Sequence, residues 1–259
     1  MLSGVSLRRA GRDVLCDVDW TIKPGERWVV LGPNGSGKTS LVEILATYLR
    51  ASSGSVSVLG HELRRTNVHD LRPSIGYLSA ALLPLVPDGL TAAQIVDAAQ
   101  VGALMPWYVD AGRIDPVRTD DALAAAGVQH LRDRRYDQLS SGEQLRVQVA
   151  RALVGNPAAL LLDEPTANLD IGGREALIGS LAKVASGPMS AMVLVIHRLE
   201  DIPARFTHAL LLREGRVLDA GPMAEVLTDA AVSACFGASI RVPPQLRAAS
   251  SSSQSIASR

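Results

Sequence analysis

A glycine-rich stretch near the N-terminus has the spacing G-x-x-x-x-G-K-T, which is the pattern of a phosphate-binding loop. In such a loop the glycines let backbone N–H groups turn toward phosphate oxygens, and the following helix presents its positive N-terminus to them. Lys38 would bind the outer phosphates as a point charge, and the Thr39 hydroxyl would bind Mg²⁺. The residues expected to contact a nucleotide here are Gly32, Pro33, Asn34, Gly35, Ser36, Gly37, Lys38, Thr39 and Ser40.

Two adjacent carboxylates follow an apolar run later in the chain, where Leu160–Leu162 leads into Asp163 and Glu164. We expect Asp163 to bind the Mg²⁺ shell and Glu164 to act as the general base that activates a water against the terminal phosphate. An Asp-Glu pair alone is a weak signal, because such pairs also occur in solvated turns. The phosphate-binding loop in the same chain makes nucleotide hydrolysis the favoured interpretation.

A third motif, Leu-Ser-Ser-Gly-Glu-Gln at residues 139–144, comes directly before a predicted helix. A Ser-Gly turn that opens a helix is a second anion-binding arrangement, although alone it is more often a simple helix cap. The motif resembles the LSGGQ signature of the ATP-binding cassette (ABC) ATPases, with Ser141 and Glu143 as variants. The three motifs together identify the chain as similar to this family from about residue 2 to residue 227.

The resemblance implies an α/β fold: a P-loop NTPase core with an antiparallel β subdomain of the ABC type and a helical signature subdomain. In this family two cassettes, identical or different, pack head to tail, and each signature closes on the ATP of its partner. Ser140 and Gly142 would then contact the partner's nucleotide, and Asp170 would belong to the D-loop at the dimer seam. His197 matches the switch histidine that contacts the γ-phosphate, so the implied catalytic residues are Glu164, His197 and Lys38, with ATP and Mg²⁺ as cofactors.

Two positions depart from the family pattern. Arg9 stands where an aromatic residue stacks on adenine; a guanidinium plane can also stack on a base, and Val14 remains to touch the ring from the side. Ala80 stands where the family has the Q-loop glutamine, which contacts Mg²⁺ and lies at the junction with the transmembrane partner. An extra water can replace one Mg²⁺ ligand, so Ala80 favours slower hydrolysis and weaker coupling to a membrane chain.

Three functions remain open from the sequence. The leading one is the cytoplasmic ATP-binding subunit of a membrane transporter whose membrane subunit is a separate chain. The alternative, favoured by Ala80, is a soluble ABC ATPase that acts on a cytosolic partner. A module that binds ATP and barely hydrolyses it ranks lower, because Asp163, Glu164 and His197 are all present.

Composition sets the expected location and partners. The chain has 26 basic and 26 acidic side chains, so bulk charge gives no reason to expect a nucleic-acid partner. The N-terminal region is interrupted by Arg8, Arg9 and Arg12, and the apolar runs are far shorter than the ~20 residues of a spanning helix. With only two cysteines, Cys16 and Cys235, we expect a cytoplasmic protein that reaches a membrane only through a partner.

Periodicity predicts the elements that position these motifs. Continuous apolar runs are typical of strands buried on both faces of a parallel sheet, and apolar spacing of three and four residues predicts helices. The predicted strands are Val14–Ile22, Arg27–Leu31, Ser55–Leu59, Ile75–Leu78, Ala158–Leu162 and Met192–Ile196, with a hairpin over Leu210–Leu218 and helices over Thr39–Arg50 and Glu143–Leu153. We expect one nucleotide-binding domain over residues 1–247, with a helical subdomain at about residues 80–155 and a disordered Ser-rich tail over 248–259.

Overall fold

The computed structural model describes residues 1–79, 87–103, 111–166, 169, 171–185 and 191–247. The strands of this part of the chain form two sheets: an antiparallel one of four strands in the order β2-β1-β4-β5 and one of six strands in the order β10-β9-β3-β8-β7-β6. In the second sheet the strands from β9 to β6 run parallel, and β10 is antiparallel to β9. The strands are β1 (Leu2–Arg9), β2 (Arg12–Trp20), β3 (Arg27–Leu31), β4 (Ser53–Val58), β5 (His61–Glu62), β6 (Ile75–Ser79), β7 (Ala159–Asp163), β8 (Ala191–Val195), β9 (His208–Arg213) and β10 (Arg216–Pro222).

Helices cover the parallel sheet and form a separate group between β6 and β7. Along the described chain they are α1 (Lys38–Leu45), α2 (Val68–Leu71), α3 (Ala92–Gln100), α4 (Pro116–Ala125), α5 (Ser141–Leu153), α6 (Ile171–Ala185), α7 (Met223–Val226), α8 (Asp229–Phe236) and α9 (Pro244–Arg247). None of the helices in the described ranges is both long and apolar enough to cross a lipid bilayer.

The strands of the parallel sheet are buried on both faces. In β3, Trp28 and Val30 join the core shared with α1 and the antiparallel sheet, while Val29 and Leu31 join the core on the opposite face. Strands β7, β8 and β9 divide their side chains between the same two cores. This double burial is why these strands are continuous apolar runs in the sequence. It confirms the predicted parallel sheet.

A third core belongs to the helical group of α3, α4 and α5. It joins the parallel sheet through the C-terminal half of α5, where Arg151 Nη1 donates to the carbonyl oxygen of Tyr77 at 3.3 Å. At Gly76 of β6 a Cβ would lie 2.3 Å from the carbonyl oxygen of Ala152, so only glycine permits this close approach. The helical group is therefore packed against the edge strand of the sheet.

Most predicted element bounds lie close to those observed. Strand β3 has the predicted bounds, and the other predicted strands begin and end within two residues of the observed ones. Helix α1 is shorter than the predicted Thr39–Arg50, because Thr47 adopts a left-handed φ of 66° and its amide bonds to the carbonyl of Ile44 at 3.1 Å. Tyr48 still packs against the same core, which explains why apolar spacing continued past the end of the helix.

The predicted hairpin is formed by β9 and β10, with Glu214 at φ 51° and Gly215 at φ 75° in its turn. A two-residue turn with positive φ at both positions matches the right-handed twist of its strands. The amide of Gly215 donates to the carbonyl of Ser36 at 3.0 Å, and its carbonyl accepts from the amide of Cys16 at 2.9 Å. The turn thus joins the glycine-rich loop to β2. The predictions for Ala80, Asp170 and the tail over 248–259 fall outside the described residues.

Candidate active site

The glycine-rich loop links the carboxyl end of β3 to the first residue of α1. It packs too closely on its neighbours for side chains: a Cβ on Gly32 would lie 2.0 Å from the carbonyl oxygen of Leu212, and one on Gly37 would lie 2.8 Å from that of Val14. Gly37 also has a φ of 102°, a conformation that glycine adopts readily. Gly32 and Gly37 are therefore required by close contacts with β9 and β2.

Lys38 fixes the shape of this loop from inside. Its ammonium donates to the carbonyl oxygens of Gly32 at 2.8 Å and Pro33 at 2.9 Å, and the residue is only 4% exposed. Burial lowers the pKa of Lys38, and the nearby carboxylates of Glu164 and Asp163 oppose that shift. Since an ammonium has three N–H donors, one remains for a phosphate oxygen.

Asp163 ends β7 and is 3% exposed. Each of its carboxylate oxygens accepts one hydroxyl: Thr39 Oγ1 donates to Oδ1 at 3.3 Å and Ser79 Oγ donates to Oδ2 at 3.1 Å. Burial raises the pKa of Asp163, while these two hydrogen bonds oppose the shift. A cation beside this buried carboxylate would be favourable, and oxygen ligands are those that Mg²⁺ prefers. Thr39 and Asp163 thus fit the predicted metal site.

Glu164 and His197 follow neighbouring parallel strands, β7 and β8, so their side chains emerge at the same edge of the sheet. His197 Nε2 lies 2.6 Å from Glu164 Oε1, and the two side chains are 35% and 28% exposed. Glu164 adopts a left-handed φ of 51°, and its amide donates to the carbonyl of Val195 at 3.2 Å. A partly exposed carboxylate beside an imidazole can accept a proton from water.

Ser140 is the N-cap of α5 and forms a reciprocal capping box with Glu143. The amide and hydroxyl of Ser140 donate to Glu143 Oε2 at 2.8 and 2.7 Å, and the amide of Glu143 donates back to Ser140 Oγ at 3.4 Å. These hydrogen bonds to Ser140 lower the pKa of Glu143. Ser140 is exposed and Gly142 half-buried, at the start of the helix α5 that packs against α3, α4 and β6. The structure brings Lys38, Thr39 and Asp163 together, and within the described residues no hydrogen bond joins Ser140 to any of these three.

Arg9 and Val14 lie at the tip of the antiparallel sheet. Val14 is half-buried against the glycine-rich loop, where its carbonyl oxygen faces Gly37. Arg9 is exposed at the end of β1, opposite Arg12 in the register. Its charge also opposes the burial that raises the pKa of Glu43 on α1. Val14 thus lies against the loop, and Arg9 lies close enough to α1 for its charge to act on Glu43.

Two residues of the site were missed by the sequence reasoning. Ser79 contacts Asp163 directly, and its only signal was a polar residue at the end of a buried strand. Gly215 braces the glycine-rich loop from the hairpin turn, and the sequence marked it only as a turn residue. Both contacts join positions that are distant in the chain, so local patterns could not reveal them.

The fold and site define a class: a cassette ATPase with a phosphate-binding loop on a parallel sheet and a helical subdomain opened by a Ser-Gly motif. A family model described as "ABC transporter" matches residues 15–167, more than half of the chain. The chain belongs to this ABC transporter family. It is an ABC-type ATPase, so the family, fold class and enzyme class predicted from the sequence are confirmed.

Relatives of similar length carry related names. An uncharacterized ABC transporter ATP-binding protein of Bacillus subtilis, YlmA, is 37% identical over 93% of this chain and 92% of its own. The cobalt import ATP-binding protein CbiO of Rhodobacter capsulatus is 36% identical over 88% and 79%. The hemin import ATP-binding protein HmuV of Agrobacterium fabrum is 34% identical over 90% and 89%.

Two solved structures share the fold. The cassette MJ0796, a dimer in a post-hydrolysis state bound to ADP and Pi, superposes with a TM-score of 0.71 at 25% identity and covers 85% of this chain and 97% of its own. The cbiO1 subunit of Clostridium perfringens, part of the transporter complex cbiONQ, gives a TM-score of 0.71 at 27% identity and covers 89% and 91%.

Proposed function

We propose that this chain is the ATP-hydrolysing subunit of a membrane transporter, and that its active sites form between two cassettes packed head to tail. The observation that carries the proposal is the separation of two phosphate-binding arrangements on one chain. Lys38 and Asp163 are buried at the end of the parallel sheet, and the half-buried Thr39 donates to Asp163 beside them. Ser140 lies exposed on the helical group, where it is accessible to a second cassette.

In the proposed site, Lys38 uses its remaining donor on the outer phosphates, while the loop amides cradle them. Thr39 and Asp163 would hold Mg²⁺, which would supply positive charge that stabilises phosphoryl transfer. Ser140 and Gly142 of the second cassette offer hydroxyl and amide donors to the γ-phosphate. Positioning and charge stabilisation by these groups provide most of the catalysis.

Glu164 is the general base in this proposal, and His197 orients it. The 2.6 Å contact between His197 Nε2 and Glu164 Oε1 fixes one carboxylate oxygen and leaves the other for the attacking water. His197 follows the strand next to β7, and the family resemblance supports a contact of its ring with the γ-phosphate. Asp170 and Ala80 are assigned from sequence to the dimer seam and the Q-loop position.

A separate membrane chain is the proposed partner, which would place this cassette at the cytoplasmic face of a membrane. This part rests on relatives named for hemin import and cobalt import. Ala80 favours a second candidate, an ABC ATPase acting on a cytosolic partner. Pull-down of the tagged chain from native membranes separates the two: a transporter subunit recovers a multi-span protein, and the second candidate recovers none.

The ATPase rate of the isolated chain, measured against its own concentration, tests the composite site. A rate per chain that rises with concentration is expected, because two copies must meet to complete each site. A full rate that persists unchanged on dilution would contradict the composite site. Near-zero rates with ATP still bound would mean that closure requires the membrane partner.

A further inference from the structure

Ser79 contributes a buried hydroxyl to the metal side of the site. It ends β6, is 3% exposed, and is the register partner of Asp163 in the parallel pair β6–β7. Its Oγ donates to Asp163 Oδ2 at 3.1 Å, while Thr39 donates to Oδ1 at 3.3 Å. The two oxygens of the carboxylate are thus distinguished: one faces the residue expected to bind Mg²⁺, and the other faces Ser79.

Tyr77 lies two residues earlier on the same face of β6 as Ser79. Burial raises the pKa of Tyr77, and a side-chain hydrogen bond with Ser79 opposes that rise. The carboxylate of Asp163 is itself held by hydroxyls from two elements, Thr39 of α1 and Ser79 of β6. Ser79 therefore fixes the side of the carboxylate that Thr39 does not reach.

We propose that Ser79 is a positioning residue for Mg²⁺ binding, which orients Asp163 so that Oδ1 and the Thr39 hydroxyl face the cation together. The inference rests on the proposed function, since it takes Asp163 and Thr39 as the magnesium-binding residues. Ala80, the next residue in the sequence, has no polar side-chain atom, so Ser79 carries the last side-chain hydroxyl at this end of β6. Partners that orient metal ligands change metal affinity by about 10–100-fold when removed.

The test measures nucleotide binding by fluorescence against Mg²⁺ concentration for the parent, Ser79→Ala and Ser79→Thr. For Ser79→Ala we expect the Mg²⁺ concentration at half-saturation to rise about 10-fold or more, with nucleotide affinity in EDTA unchanged. Ser79→Thr keeps the hydroxyl and restores the parent value. Electron paramagnetic resonance of Mn²⁺ with ADP gives a second readout that is independent of turnover, and it should show the same loss.

A matched control is Thr119→Val, which removes a buried hydroxyl that donates to Asp97 at 2.5 Å within the helical group. This variant loses a hydroxyl–carboxylate bond of the same kind and leaves the Mg²⁺ dependence unchanged. If Ser79→Ala is poorly folded, Ser79→Cys, with its weaker S–H donor, should give an intermediate shift.

Two results would overturn the role of Ser79: an unchanged Mg²⁺ half-saturation in a folded Ser79→Ala, or an equal loss of nucleotide affinity with and without Mg²⁺. A parent protein whose nucleotide binding ignores Mg²⁺ would instead overturn the proposed metal site itself. The two failures are therefore distinguishable.

Discussion

The two phosphate-binding arrangements of this chain are built in different ways. At the glycine-rich loop, Lys38 and Asp163 are almost fully buried and bonded to backbone carbonyls and hydroxyls of their own subdomain. At the signature, Ser140 is exposed, and its hydroxyl exchanges hydrogen bonds with Glu143 of the same helix. The first is shaped by packing in the core, so one chain can bind a nucleotide there. The second is exposed, and in the proposed dimer it is used by a second cassette.

The two arrangements also shift the pKa of a carboxylate in opposite directions. Burial raises the pKa of Asp163, whereas hydrogen bonds from Ser140 lower the pKa of the exposed Glu143. A buried carboxylate of raised pKa gains from a bound cation. A carboxylate already bonded at a helix N-terminus occupies the donors that an anion would use. We therefore expect Mg·ATP to stabilise the glycine-rich loop and Asp163 directly. At the signature, the phosphate of the partner's ATP must share the amide and hydroxyl donors of Ser140 with Glu143.

Glu164→Gln, the variant with the greatest predicted effect, separates ATP hydrolysis from ATP binding. Glu164→Gln should reduce turnover by about 10²–10⁴-fold while ATP binding is kept, because the amide cannot accept the proton of the attacking water. Steady-state hydrolysis and fluorescent-nucleotide binding measure the two properties. Glu225→Gln, an exposed carboxylate change on α7, is the control and should behave as the parent. Hydrolysis by Glu164→Gln at the parent rate would remove Glu164 from its assigned role.

The second variant, Lys38→Ala, tests the buried glycine-rich loop. Lys38→Ala should weaken nucleotide affinity by about 10–100-fold, since it removes a charged hydrogen bond to phosphate and the loop's internal brace. Lys38→Arg should not rescue it, because the planar guanidinium does not fit the space between the carbonyls of Gly32 and Pro33. Titration of fluorescent ATP measures the affinity. Lys23→Ala, at an exposed turn, serves as control, and an equal loss there would show a nonspecific charge effect.

The third variant, Ser140→Ala, tests the exposed signature motif. Ser140→Ala should leave ATP affinity of the dilute single chain unchanged and lower the hydrolysis rate by about 10-fold, because the lost hydroxyl acts only across the cassette interface. Thr91→Ala removes the N-cap of another capping box in the same helical group, so it controls for lost helix capping. A fall in hydrolysis of the same size in both variants would reduce Ser140 to a structural cap.

The smallest effect is a pH dependence that differs in sign between the two carboxylates, measured by thermal unfolding without Mg²⁺ or nucleotide. The pKa of Glu143 is lowered on folding, so its stabilisation relative to Glu143→Gln is present above the ordinary pKa of 4.5 and is lost as pH falls through the lower folded pKa. The pKa of Asp163 is raised, so stability relative to Asp163→Asn is greatest at acid pH and declines as pH rises past 3.8. If the stability difference between parent and variant changed with pH in the same direction for Glu143→Gln and Asp163→Asn, the two carboxylates would not differ as described.

Local patterns were enough for the motifs and for most strands. Strand β3 was placed from a continuous apolar run, and its loop was placed from glycine spacing. The end of α1 was missed because Tyr48 continues the apolar spacing while Thr47 leaves the helix through its own backbone conformation. Ser79 was missed because its role depends on the register between β6 and β7, which a sequence does not display. The contacts of Asp163 are therefore determined by tertiary structure, whereas the start of α5 is determined by neighbouring residues, Ser140 and Glu143.

The central claim is that the exposed signature of one copy completes the buried site of another. The direct measurement is the solution mass of Glu164→Gln by light scattering, with and without Mg·ATP, beside the same variant carrying Ser140→Arg. We expect ATP to shift Glu164→Gln from 27.3 kDa to about twice that mass, while the double variant binds ATP and stays a single chain. A Glu164→Gln variant that binds ATP and remains monomeric at high concentration, or a double variant that dimerises equally well, would contradict it.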